Sequence, residues 1–103
     1  YNAPDTTART MKAIGKSIGA ANVKEVKPVM GGEDFSRYRR ADENIKSMIF
    51  WVGGVPMAEY QAAQTDGTKL PSLHSPFWAP EAKKVIQTGA EALTAATLQI
   101  MKK

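Results

Sequence analysis

Apolar residues recur at helical spacing near the start of the chain, where Met11, Ile14, Ile18 and Ala21 form one stripe that predicts an amphipathic helix over residues 3–21. Asn2 is its expected N-cap, Pro4 lies in its first turn, and Gly19 and Asn22 are stop signals. Interior glycines weaken a helix by about 1 kcal/mol each, so with Gly15 and Gly19 present the stripe must be stabilised by packing. Residues 23–30 contain three valines and close on Pro28 and the Gly31-Gly32 pair, the pattern of an edge strand entering a tight turn. Residues 33–40 place Glu33 and Asp34 before Arg37, Arg39 and Arg40, the charge order of a brief helix. Residues 46–52 are apolar and aromatic after Ser47, which predicts a strand buried on both faces and ended by Gly53-Gly54, with Phe50 and Trp51 in the core.

Residues 55–78 hold four prolines or glycines at Pro56, Gly67, Pro71 and Pro76, and form a long connection broken only by a short helix over 57–64. Connections of that length in small domains are often functional. A last helix begins at Pro80 and runs to Met101, with Ala82, Ile86, Gly89, Leu93, Ala96 and Ile100 as its expected core face. The order helix, strand, short helix, strand, long helix defines the expected fold class as α/β. Two strands make a poor sheet, so further strands are expected elsewhere in a longer parent chain. The opening Tyr1, rather than Met, agrees with that expectation.

Composition narrows the chemistry. The 103 residues include no cysteine and one histidine, which excludes a disulfide framework, a thiolate metal site and a cysteine nucleophile, and leaves too few ligands for a self-contained zinc centre. Hydrophobic residues at 43% and charged residues at 23% are ordinary globular usage. No apolar run approaches the roughly 20 residues of a membrane span, and no signal peptide is evident, so neither membrane insertion nor export is expected. The net charge of +4 is a mild excess. Arg37, Arg39 and Arg40 around Tyr38 resemble a nucleic-acid patch, but Asp34, Asp42 and Glu43 dilute it, and a solvated helix face with no nucleic-acid partner is the expectation.

Two segments stand out, Met30-Gly31-Gly32-Glu33-Asp34-Phe35-Ser36 and Ser72-Leu73-His74-Ser75-Pro76-Phe77. In this order and spacing, with the aromatic segment ending in Gly53-Gly54 and the Ala-rich last helix, the chain resembles the C-terminal part of the dinuclear-metal amidohydrolases related to hippurate hydrolase and the N-acyl-amino-acid deacylases. These belong to the aminoacylase and carboxypeptidase clan of zinc peptidases. The resemblance covers essentially all 103 residues and implies that they form the C-terminal portion of a three-layer catalytic domain. It implies that His74 is a metal ligand, one share of a site for two divalent ions (zinc, manganese, cobalt or nickel). The other ligands and the general base would lie upstream, so the segment alone should be inactive and its parent should hydrolyse the amide of N-acyl amino acids or related amides. Metal chemistry of this kind polarises the amide carbonyl and activates water.

The Gly31, Gly32, Glu33 and Asp34 loop is then a substrate-binding element, or one that orients His74. Read as structure alone, it is a strand-to-helix turn in which glycine permits positive φ and the acids favour a helix N-terminus. Phe77 and Trp78 line an acyl pocket or pack beneath the His74 loop. The resemblance further implies a cytoplasmic enzyme, homodimeric or homotetrameric in the parent. The chain departs from the family pattern at residues 44–47, where many members carry Pro-Gly, and in a longer connection over 55–70, which leaves acyl and amino-acid preference open. The rival from another class is a small basic binding domain without catalysis, marked by salt-dependent binding of a polyanion.

Overall fold

The computed structural model describes residues 2–29, 31 and 33–102. Four α-helices follow in order: α1 over Pro4–Ile18, α2 over Ser36–Ala41, α3 over Met57–Asp66 and α4 over Ala82–Met101, with a 3-10 turn at Ala20–Asn22 after α1. Each of the four expected helices is present, within a few residues of the expected limits. The α/β expectation is overturned: 55% of the described residues are helical and none lies in a strand.

Both expected strands fail for one physical reason, the lack of a ladder partner. A strand interior is held by hydrogen bonds to a neighbouring strand, and residues 23–29 and 46–52 meet none among the described residues. Val26 and Val29 are each 64% exposed. Near Ser47 the backbone is tied instead to the start of α1. The Ala3 N–H donates to the Ser47 carbonyl at 2.9 Å. The Asn2 side chain brackets Ile49, its Nδ2 donating to the Ile49 carbonyl and its Oδ1 accepting the Ile49 N–H, both at 2.8 Å. One side-chain amide thus does for Ile49 what a neighbouring strand would do.

That use of Asn2 also corrects its expected role as N-cap. Ala3 is the N-cap of α1, with no side-chain capping bond, and Pro4 begins the helix. The C-terminus follows the sequence signals: Gly19 takes φ 90°, and the Asn22 Nδ2 donates to the Ile18 carbonyl at 2.6 Å.

The chain divides into two compact units, Tyr1–Phe50 with Ala90–Lys103, and Trp51–Gly89. In the first, Ile14 is buried with Ala92 and Ala96, and Met11, Ile18, Val23, Phe50 and Ala95 pack against them. The α1 stripe is therefore the core face that its periodicity predicts, apart from Ala21, which is exposed in the 3-10 turn. On α4 the expected face is corrected. Ala92 and Ala96 are buried, whereas Ile86, Leu93 and Ile100 are 71%, 60% and 67% exposed. A broad apolar arc on a helix can meet its neighbour along one edge only, and here the alanine edge is the one covered. Trp51, expected in the core, is 60% exposed.

In the second unit, α3 ends at Gly67, whose left-handed φ of 74° lets its N–H reach the Ala63 carbonyl at 3.1 Å. Gly54 is buried, and its carbonyl accepts the Glu81 N–H at 2.9 Å. This bond ties the segment leading into α4 to the Gly53-Gly54 pair.

Candidate functional site

The His74 loop is built from two consecutive turns. The Ser75 N–H donates to the Ser72 carbonyl at 3.0 Å and closes the first; the Trp78 N–H donates to the Ser75 carbonyl at 3.0 Å and closes the second. The Ser75 Oγ also accepts the Phe77 N–H at 3.2 Å. His74 sits at the third position of the first turn with φ 69°, and is the one non-glycine with positive φ among the described residues. A left-handed residue at that position is what a type II turn requires, and glycine or asparagine normally fills it. Histidine there costs about 1 kcal/mol of backbone strain. His74 is exposed, and neither imidazole nitrogen has a hydrogen-bond partner among the described residues.

The loop is anchored behind His74. Trp78 is half-buried against Gly54 and Pro80; a Cβ on Gly54 would lie 2.9 Å from Trp78 Cζ2 and 3.1 Å from Pro80 Cβ. Glycine at 54 is thus required by close approach of the indole. The two aromatic residues of the loop separate in role, since Phe77 is 81% exposed while Trp78 packs beneath.

The Gly31 to Asp34 loop has a local structural account. The Glu33 Oε1 accepts the Phe35 N–H at 3.1 Å, the Glu33 carbonyl accepts the Ser36 hydroxyl at 3.2 Å, and the Asp34 carbonyl accepts the Arg37 N–H at 2.9 Å. These bonds start α2, so the Glu33 carboxylate serves a helix N-terminus. Phe35 and Tyr38 meet edge to face with ring centroids 5.6 Å apart. Gly31 is exposed; Gly32 lies outside the described residues. Glu33, Asp34, Arg37 and the two aromatic rings border an open depression of about 630 Å³. His74 belongs to the other compact unit.

Of the arginines, Arg37 and Arg40 are exposed, as expected of a solvated face, while Arg39 is half-buried and its Nη1 donates to the Glu43 carbonyl at 3.0 Å. Among the described residues no three His, Cys, Asp or Glu side chains are grouped to hold a metal ion. None of their helices is long and apolar enough to cross a membrane. Neither the left-handed backbone of His74 nor the close approach that requires glycine at 54 is announced by residue type; the signals for them were a Ser-x-x-Ser frame between prolines and a Gly-Gly pair. Comparison with family models, curated proteins and solved structures finds no match.

Proposed function

We propose that this chain supplies His74 as one metal ligand to a larger metal-dependent amidohydrolase that cleaves N-acyl amino acids or related amides. The observation that supports this most is the strained, exposed presentation of His74. A residue held in a sparsely populated conformation by flanking turns, with both ring nitrogens unengaged, is a side chain set to meet something outside its own loop. The motif resemblance supplies the class of partner, a divalent cation.

The donor set sets the limits of this chain's share. One imidazole fits one ligand position, whereas a catalytic zinc needs about three protein ligands, so the remaining ligands and the general base would come from the rest of the catalytic domain. The bound cation would polarise the amide carbonyl and activate water. The work of these residues is positional. The Ser72–Ser75 turn sets the backbone at His74, Trp78 packed on Gly54 supports the turn, and the exposed Phe77 offers an apolar surface for an acyl group. A cytoplasmic location and a homodimeric or homotetrameric parent belong to the same proposal.

The test is His74→Asn in the full-length protein. Asparagine tolerates left-handed φ, so the turn is preserved while a good ligand is removed. Hydrolysis of N-acyl amino acids should fall at least about 100-fold; activity within about threefold of the parent would refute the assignment.

A further inference from the structure

In the first compact unit, α1 and the end of α4 border a groove of about 560 Å³. Arg9, Lys12 and Lys16 line it from α1 and Lys102 from α4, with Ala95 and Leu98 among its apolar lining. Among the described residues no carboxylate lines it, and none of the four cations has an ion pair or a hydrogen bond. Lys84 and Glu81, which do pair, lie in the other unit.

We propose that this groove is a docking site for an acidic amphipathic helix of another polypeptide. The spacing argues for a helix. Arg9, Lys12 and Lys16 stand at i, i+3 and i+7, about 4.5 Å and then about 6 Å apart along the α1 axis. Carboxylates at the same repeat on a helix laid alongside meet them in register. The apolar lining argues for an amphipathic one: exposed ion pairs contribute little alone, and Leu98, 59% exposed, offers the apolar contact that gives affinity.

Other occupants fit less well. Among the described residues no aromatic side chain lines the groove, so bases of a single strand have nothing to stack on. A lipid surface is flat and does not fill a groove. A second copy lacks the pattern, because no helix of this chain carries acids on three successive turns of one face. Its nearest approach is Glu59 and Asp66 on α3, and Asp66 is already engaged by Thr68.

The experiment measures fluorescence anisotropy of the full-length protein with a labelled helical peptide of about 18 residues, bearing glutamates at i, i+3 and i+7 beside a leucine face. A peptide of equal composition with glutamates scattered around the helix is the comparison. The patterned peptide should bind at least about tenfold tighter, and its binding should weaken at least about tenfold between about 50 and 300 mM salt. Combined Arg9→Glu, Lys12→Glu and Lys16→Glu should abolish it, while Lys24→Glu, Lys27→Glu and Lys69→Glu should change it less than about threefold. Should the first variant lose helix by circular dichroism, Lys12→Gln with Lys16→Gln replaces it. Equal binding of both peptides, equal loss in both reversal variants, or tighter binding of an RNA oligonucleotide or anionic vesicles would overturn the proposal. So would self-association abolished by the first variant.

Discussion

His74 shows how one residue can be positioned by backbone alone: Ser72, Ser75 and Trp78 make the bonds, and the imidazole makes none. Gly54 is its counterpart, a residue defined by what it leaves empty. Gly54→Ala should cost about 1–3 kcal/mol, because the added carbon overlaps the indole and the Pro80 ring and a rigid ring cannot bend away. Chemical denaturation and the near-ultraviolet circular dichroism of Trp78 read this directly; unchanged stability and spectrum would contradict it. At the end of α3, hydrogen bonds from the Thr68 hydroxyl and N–H hold the Asp66 carboxyl below its ordinary value. A group depressed in the folded state contributes above the ordinary carboxylate pKa and loses that contribution as pH falls through the lower folded value. The Thr68 amide resonance should therefore keep its position at neutral pH and shift as the solution is acidified below about pH 4. Thr68→Val should raise the Asp66 midpoint.

At the scale of elements, α1 rests on a narrow contact, with Ile14 against Ala92 and Ala96. Ile14→Ala should destabilise the first unit by about 3 kcal/mol, a large effect for a core of few side chains. Gly15→Ala should act oppositely, raising stability by about 1 kcal/mol, since its new carbon would meet Ala20 and Val23 at 3.5 and 3.6 Å, ordinary van der Waals contact. Thermal denaturation of both variants checks the pair. Helices were legible in the sequence because their determinants are local: Pro4, the stripe of Met11, Ile14 and Ile18, Gly19 and Gly67. The two strand expectations failed because pairing is not local. Residues 46–52 have strand composition, yet what they bond to is decided by Asn2 and Ala3, over forty residues away. The candidate site was legible in its residue types and hidden in its geometry, since nothing in the identity of His74 announces a φ of 69°. The exposed edge of α4 was hidden likewise, because periodicity marks an apolar arc without saying which edge is covered.

At the scale of the whole molecule, both units leave large apolar side chains in solvent, Val29, Leu93 and Ile100 in the first and Trp51, Phe77 and Ile86 in the second. Apolar surface of that extent normally marks contact with other protein. The assignment of His74 as a metal ligand is read from metal stoichiometry, by elemental analysis of the full-length protein and its His74→Asn variant after identical metal loading and desalting. The variant should retain at least one fewer divalent ion per chain than the parent while its circular dichroism is unchanged. Equal metal content in the two proteins would contradict it.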